Sequence, residues 1–228
     1  NNDMVTFAAT ETSGNPFNTI AWAFSDCNSA INFGGSAPGY AIADVLFGDV
    51  NPSGKLTSTF PQNIGQVPIY YAHKNTGRPL PQGKWFEKFR SNYLDVSNDP
   101  LYPFGYGLSY TQFTYSDIKL SSSKMAKSGS IIASVTVTNT GMIEGKEVVQ
   151  LYLRDMVGSI TRPVKELKGF QKINLKPGES KELSFTITEE ELKFYNSDLQ
   201  YVSEPGDFKV FIGSNSRDVK ENGFELTD

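Results

Sequence analysis

The sequence has 228 residues, enough for one large domain or two small ones, and its 38% hydrophobic, 20% charged and 13% aromatic residues are an ordinary globular composition. The formal net charge of −4 offers no basic face to a polyanion, so we expect no nucleic-acid partner. No apolar run reaches the roughly 18 residues of a membrane-spanning helix, so we expect no membrane insertion. His73 and Cys27 are the only residues of their types, so the usual zinc ligand set cannot be assembled, and we expect no metal or other cofactor.

The first part of the chain, residues 1–60, is rich in Ala, Gly, Ser and Asn and predicts a partial α/β segment. Residues 18–24 favour a buried strand, and residues 41–47 favour a helix with Gly48 well placed as its C-cap. Helical spacing puts three apolar side chains on one face: Ile42, Val45 and Leu46. Because one strand and one helix cannot bury their own faces, we expect residues 18–60 either to form a homodimer interface or to be poorly ordered.

The second part, residues 61–110, is dense in Pro, Gly and Tyr and predicts a long linker strap. Its last segment contains the run Phe104-Gly105-Tyr106-Gly107. The glycines of this run do not match the spacing of a phosphate-binding loop. We therefore interpret the run as a tight aromatic turn that anchors the junction with the third part.

The third part, residues 111–228, consists of short alternating runs separated by turn residues, which is typical of half-buried strands. The predicted strands lie at residues 134–138, 147–153, 164–175, 183–187, 194–195, 200–202 and 208–212. Gly169 interrupts the third of these strands and predicts a β-bulge. The strand spacing predicts an immunoglobulin-like or fibronectin-III-like β-sandwich. The cysteine pair and core tryptophan of antibody domains are absent, which favours the fibronectin-like form.

Several separated motifs, in order along the chain, resemble the C-terminal region of glycoside hydrolase family 3. Gly39–Leu56, continued by Thr59-Phe60-Pro61, resembles the end of the family's α/β sandwich domain, and Pro100–Thr111 resembles its junction with a fibronectin-like domain. Four further segments resemble successive strands of that domain: Val135–Gly141, Gly145–Leu153, Arg162–Phe170 and Pro205–Gly213. The resemblance covers about residues 18–220, and residues 1–17 match nothing in the family.

The resemblance implies a larger enzyme with a TIM-like barrel, an α/β sandwich and a fibronectin-like domain. It implies retaining hydrolysis of β-linked glycosides, which needs a nucleophile and an acid/base carboxyl group. In the family these groups are an Asp on the barrel and a Glu upstream of the matched stretch, and no carboxylate of this chain matches either. We therefore expect no catalytic residue here, and we expect the isolated chain to be inactive.

The expected role is the C-terminal portion of a secreted, periplasmic or extracellular β-glucosidase-like enzyme that binds a β-linked glucoside or oligosaccharide. Its partners would be the remaining catalytic domains, which this portion would brace. A second hypothesis is a stand-alone carbohydrate-binding or protein-interaction module, because immunoglobulin-like sandwiches carry many functions.

Candidate substrate-binding residues lie in the strap, where the family's corresponding stretch can approach the sugar-binding cleft. A sugar subsite combines an aromatic face with amide, carboxylate or guanidinium partners, which makes candidates of Tyr71, His73, Asn75 and Arg78. The alternative is a well hydrogen-bonded interdomain strap. Trp85 is a candidate stacking platform for the aglycone, and the alternative is that Trp85, Phe86, Phe89 and Tyr93 dock the strap on the sandwich.

The remaining acids give no sign of a catalytic pair in the sequence. They are isolated residues in turns or strands, and such charges are usually solvated: Asp95, Asp99, Glu144, Glu147 and Asp155. We therefore interpret them as surface charges.

Overall fold

The computed structural model of the protein describes residues 5–10, 19–24, 43–80 and 84–228. Strands β1 (Val5–Thr10) and β2 (Thr19–Phe24) form an antiparallel pair, which confirms a strand near residues 18–24 and adds a partner that was not predicted. Residues 43–47 form helix α1. Gly48 ends it with a φ of 85° and donates its N–H to the carbonyl oxygen of Val45 at 3.2 Å, as expected of a C-cap.

The predicted apolar face of α1 is covered only in part. Val45 is 1% exposed, whereas Leu46 is 54% exposed. Ile42 lies outside the described residues. Homodimer formation through residues 18–60 stays a prediction. No helix among the described residues combines the length and the apolar character that crossing a membrane requires.

The strap is a folded segment with little regular secondary structure. Its 3₁₀-helix spans Ile64–Gln66, and a β-bridge joins Phe60 to Tyr102. The buried Gln66 side chain accepts a hydrogen bond from the Gln62 N–H and donates one to the carbonyl oxygen of Ser97 at 2.8 Å. Side-chain bonding to the backbone replaces the missing ladder here and gives the strap a defined course.

The third part is a β-sandwich, as predicted. Its strands are β3 (Phe113–Tyr115), β4 (Lys119–Leu120), β5 (Lys124–Ala126), β6 (Ser130–Asn139), β7 (Gly145–Asp155), β8 (Glu166–Leu175), β9 (Ser180–Thr188), β10 (Phe194–Tyr195), β11 (Tyr201–Val202), β12 (Gly206–Gly213) and β13 (Val219–Thr227). The short helix α2 (Glu189–Leu192) begins with a capping box between Thr188 and Glu191.

Two sheets face each other in this sandwich. One has the order β5-β13-β12-β7-β8, and the other has the order β3-β6-β4 with β9 also paired to β6. The neighbours are antiparallel except β5 and β13, which are parallel. The small β10-β11 pair confirms the predicted hairpin around residues 196–198.

The core between the sheets follows the period-two pattern that predicted the strands. It includes Ile131, Ala133, Val135 and Val137 of β6, Val149, Leu151 and Leu153 of β7, Leu183, Phe185 and Ile187 of β9, and Phe208, Val210 and Ile212 of β12. The predicted bulge is confirmed, since Leu151 is opposite Gly169 while Tyr152 is opposite Leu167, which leaves Lys168 as the extra residue.

Strand β7 is buried on its outer face as well, because the strap packs over it. Gln150 and Tyr152 alternate with the core residues and are both buried. The Gln150 side-chain amide donates to the carbonyl oxygen of Gly105 at 3.1 Å, and the rings of Tyr152 and Tyr71 meet edge to face at 5.7 Å. The turn at residues 104–107 therefore anchors the junction, as its sequence indicated.

A buried ion pair joins the end of the α/β segment to the sandwich. The Lys55 ammonium lies 3.2 Å from the Glu147 carboxylate, and the Tyr115 hydroxyl donates to the same carboxylate at 2.8 Å. Burial, and then the Glu147 charge, raise the pKa of Tyr115, so this hydroxyl stays a donor. Glu147 is only 4% exposed, so its interpretation as a solvated charge was wrong.

Asp155 is a second acid for which the solvated interpretation was wrong. It is buried and lies 3.5 Å from the Arg162 guanidinium, which also meets Glu166 at 3.0 Å and lies over the Phe194 ring. Burial raises the pKa of the Asp155 carboxyl, against the opposing effect of Arg162. Both acids lie near the ends of β7 on the side of the strand that carries the core residues Val149, Leu151 and Leu153, so the period-two pattern turns them inward.

Removing one partner of the buried ion pair should destabilise the protein strongly. We expect Glu147→Gln to lower the free energy of unfolding by about 3 kcal/mol, because the buried Lys55 ammonium would lose its attraction to the Glu147 charge. Urea denaturation of the purified chain measures this difference. The exposed Glu182→Gln on β9 is the matched control and should change stability by less than about 0.5 kcal/mol. Equal effects of the two variants would contradict the bracing role of the pair.

Gly105 and Gly77 offer a test of the close approach between the junction and β7. Both have positive φ values, 78° and 65°, so alanine is strained at either position. A Cβ at Gly105 would overlap the Gln150 side chain, whereas nothing lies within 4 Å of a Cβ at Gly77. We expect Gly105→Ala to lower the unfolding free energy by about 1–3 kcal/mol more than Gly77→Ala. Similar melting temperatures for the two variants would refute the close packing.

Candidate functional site

Two adjoining clefts lie where the strap meets its own return segment and the sandwich. The first, here called the strap cleft, has a volume of about 670 Å³ and is formed by residues 68–80 and 91–98. The second, here called the basic cleft, has a volume of about 500 Å³ and lies between the strap and strands β7 and β12. Seven residues line both clefts: Ile69, Tyr70, His73, Asn75, Pro79, Leu80 and Asn98.

Backbone pairing fixes the strap beside these clefts. The carbonyl oxygen of His73 accepts a hydrogen bond from the Val164 N–H at 2.9 Å, and a β-bridge joins Lys74 to Pro163. Further along, the carbonyl oxygen of Arg78 accepts a hydrogen bond from the Ser91 N–H at 2.9 Å. The side chains between these anchors project from a backbone with a set position, which a binding site requires.

The structure brings together only some of the predicted binding residues. His73 and Asn75 line both clefts and are exposed. Tyr71 lines the basic cleft, but its ring stacks on Phe104 at 4.3 Å and its hydroxyl accepts a hydrogen bond from the Leu167 N–H at 3.2 Å. Tyr71 therefore holds the strap on the sandwich. Neither cleft is lined by Arg78.

Trp85 also lies outside the two clefts, in a loop whose aromatic side chains face solvent. Trp85 is 55% exposed and Phe89 is 73% exposed, and Phe86 is exposed as well, so the alternative that these three dock the strap on the sandwich is wrong. The loop is shaped by its own ion pairs, in which Glu87 lies 3.1 Å from Arg90 and 3.2 Å from Lys84. The hydrogen bonds from Arg90, and then from Lys84, lower the pKa of the Glu87 carboxyl.

The strap cleft has an aromatic face that was not predicted from the sequence. Tyr70 is 56% exposed and lines both clefts, whereas its predicted neighbour Tyr71 is covered. Tyr71 packs on Phe104 and Tyr152, so only the other of the two consecutive tyrosines offers its ring to the cleft. The Tyr-Tyr pair indicated an aromatic surface, but the sequence did not show which of the two rings faces the cleft.

The basic cleft collects four cations from distant parts of the chain, which is why sequence analysis missed it. They are Arg154, Lys165, Lys209 and Arg217. Lys165 donates to the carbonyl oxygen of Ser216 at 2.7 Å and lies over the Phe211 ring at 4.4 Å. Burial lowers the pKa of the Lys165 ammonium to about 8.

Two acids of the described residues line the basic cleft. They are Asp99 and Glu221, and Glu221 lies 3.3 Å from the Lys209 ammonium. The clefts thus offer rings, amides and cations, which are binding groups. Among residues 5–10, 19–24, 43–80 and 84–228, no group of three His, Cys, Asp or Glu side chains is placed to hold a metal ion.

Two family models match the chain. The Glycosyl hydrolase family 3 C-terminal domain matches residues 8–110, and the Fibronectin type III-like domain matches residues 147–216. The first match begins ahead of residue 18, so the expectation that all of residues 1–17 lie outside the family was wrong. The second half of strand β1, residues 8–10, falls within this added stretch.

Relatives and solved structures agree with the family models. The chain is 58% identical over 194 residues to a periplasmic β-glucosidase of Salmonella typhimurium, covering 85% of this chain and 25% of that protein. It is 50% identical over 186 residues to a putative β-xylosidase of Formosa agariphila, covering 82% of this chain and 23% of that one. A β-glucosidase of Listeria innocua, crystallised with glucose, is similar with a TM-score of 0.79 and 46% identity, covering 83% of this chain and 26% of that chain.

The chain thus spans about a quarter of the length of the proteins that it matches. Its matched residues carry the family's C-terminal domain and the sandwich that follows it. The chain belongs to glycoside hydrolase family 3, of which it is a C-terminal part that includes the fibronectin type III-like domain.

Proposed function

We propose that this chain is the bracing C-terminal portion of a retaining enzyme that hydrolyses β-linked glucosides. The observation that carries the proposal is the three-layer junction, in which Lys55 and Gly105 of the family-3 domain are fixed on β7 of the sandwich by Glu147 and Gln150. A buried ion pair is costly to break, so it fixes one domain against the next. The names of several relatives, which are β-glucosidases, support the substrate class.

The proposal divides the chain into three parts. They are an α/β remnant at residues 1–60, a strap at residues 61–110 and the sandwich at residues 111–228. The end of one family model at residue 110, with the other beginning at residue 147, supports the second boundary. The periplasmic β-glucosidase among the relatives supports a periplasmic or otherwise exported location.

The strap contributes a peripheral sugar subsite in this proposal. His73 and Asn75 offer an imidazole and an amide to the strap cleft, beside the exposed ring of Tyr70. Tyr71 supports the subsite from beneath through its contacts with Phe104 and Tyr152. Arg78 and Trp85 lie outside the cleft of this chain and act on a sugar that the catalytic domains hold.

A stand-alone carbohydrate-binding module is the second candidate function. The observation that favours it is the solvent-facing loop with Trp85, Phe86 and Phe89, because exposed rings are the usual stacking surface for sugars. Such a module would bind an oligosaccharide without the catalytic domains.

We expect the purified chain not to hydrolyse an aryl β-glucoside, because retaining hydrolysis needs two facing carboxyl groups about 5–5.5 Å apart. Release of p-nitrophenol from its β-glucoside measures this, with a full-length family-3 β-glucosidase as the positive control. Turnover by the chain that disappears in Asp99→Asn or Glu221→Gln would place the reaction centre in the basic cleft and refute the proposal.

Calorimetry of the chain with cellotriose distinguishes the bracing portion from the stand-alone module. We expect no measurable heat of binding, since the neutral sugar would meet only the peripheral part of a subsite. A module predicts instead a measurable affinity that falls several-fold in Trp85→Ala, through loss of the stacking face. Phe170→Ala, which removes an exposed ring from β8, is the matched control. An affinity lost with Trp85 and kept with Phe170 would replace the first proposal with the second.

A further inference from the structure

We propose that the basic cleft binds an acidic sugar, with the carboxylate of a uronic acid held between Arg154 and Lys165. The inference rests on the proposed sugar subsite of the strap and assigns it a charged ligand. The cleft has room for a sugar ring, since about 500 Å³ is within the roughly 300–1,000 Å³ typical of small-molecule sites.

The charge of the cleft is not balanced by the acids that line it. Lys209 is paired with Glu221 at 3.3 Å, and Arg217 meets Asp218 at 3.6 Å. Among the described parts of the chain, no side chain forms an ion pair or a hydrogen bond with the Arg154 guanidinium. A cation in a half-buried position without a counter-charge favours an anionic ligand.

Lys165 is the second cation that forms no ion pair with an acid in the described residues, and its ammonium has a defined position. Its ammonium donates to the carbonyl oxygen of Ser216 at 2.7 Å and lies 4.4 Å from the centre of the Phe211 ring. An ammonium has three N–H donors, so the carbonyl bond leaves donors for a ligand. Besides burial, the charge of Arg154 lowers the Lys165 pKa, while Glu221 and Asp218 raise it. Arg154 and Lys165 are thus close enough to repel, and an anion between them would relieve that repulsion.

The walls of the cleft favour a sugar over a simple anion. The exposed ring of Tyr70 offers a stacking face, and Asn75 and Asn98 offer amide groups for hydroxyls. Pro79, Pro100 and Pro103 add apolar surface that a small inorganic ion would not use. A ring with hydroxyl groups and one carboxylate matches this combination of cations, amides and apolar surface.

Both cations stand on rigid strands or next to one. Arg154 lies on β7 directly opposite Lys209 of β12, and Lys165 precedes β8, which pairs with β7 on its other side. The cleft therefore exists before the ligand arrives. Preorganisation of this kind lowers the entropic cost of binding.

Calorimetry of the 228-residue chain with methyl β-glucuronide tests the proposal. We expect measurable binding of the glucuronide, at least about tenfold weaker binding of its neutral methyl ester, and at least about tenfold weaker binding of methyl β-glucoside, because a charge-assisted hydrogen bond is lost in both. Acetate is the probe for a simple anion and should bind at least about tenfold more weakly than the glucuronide.

Variants locate the ligand. Arg154→Gln and Lys165→Met should each weaken glucuronide binding at least about tenfold, whereas Lys181→Met, which removes an exposed charge from the opposite sheet, should change it less than twofold. Asn75→Ala should weaken the binding of the glucuronide without changing the binding of acetate, because the Asn75 amide would contact only the sugar. Melting temperatures show whether each variant is folded. If a variant does not fold, the comparison of ligands on the unaltered chain still tests the proposal.

The possible results separate the two proposals. No binding of the glucuronide, or equal binding of glucuronide and methyl ester, would overturn the acidic-sugar site and leave the bracing function standing. Acetate binding as tightly as the glucuronide, with no effect of Asn75→Ala, would overturn both the acidic sugar and the sugar subsite of the strap. Loss of binding in Lys181→Met would place the ligand elsewhere and refute the assignment.

Discussion

The covering of the outer face of β7 is the constraint on which the rest of the structure depends. A sandwich strand normally has one face on the core and one in water, but here the junction segment lies over Gln150 and Tyr152 and makes the sandwich three layers deep. The carbonyl oxygen of Gly105 approaches β7 because that position carries no Cβ. The same contact sets the position of the strap, and the strap in turn forms one wall of both clefts.

The Lys55–Glu147 pair gives this packing its specificity. Removing two charges from water costs several kcal/mol, so a buried pair adds little net stability compared with apolar side chains of the same shape. A misplaced junction, however, would leave an ammonium and a carboxylate buried apart, which costs far more. We interpret the pair, with the Tyr115 hydroxyl, as the group that fixes the docking position of the family-3 domain on the sandwich.

The sequence predicted those parts of the fold that have a strong period. Apolar and polar residues alternate clearly in β6, β9 and β12, and the glycine at position 169 indicated the bulge. β4 and β5 were missed because two or three residues carry no period, and β13 was missed because only Phe224 and Leu226 of its length are buried. Gln150 and Tyr152 of β7 could not be assigned to a buried face, since the groups that cover them come from about 45 or more residues away in the chain.

The same limit explains which features of the site could be predicted. His73 and Asn75 were found because the strap presents them within one short polar segment, whereas Arg154 and Lys165 meet only after β7 and β8 have paired.

Burial also separates structural from reactive acids. Both oxygens of Glu147 receive hydrogen bonds from Lys55, and one receives a further bond from Tyr115, so this buried carboxylate lacks the access that a nucleophile requires. An acid that fixes one domain on another is thereby withdrawn from chemistry, and in this chain the junction uses the most deeply buried carboxylate of the described residues in that way.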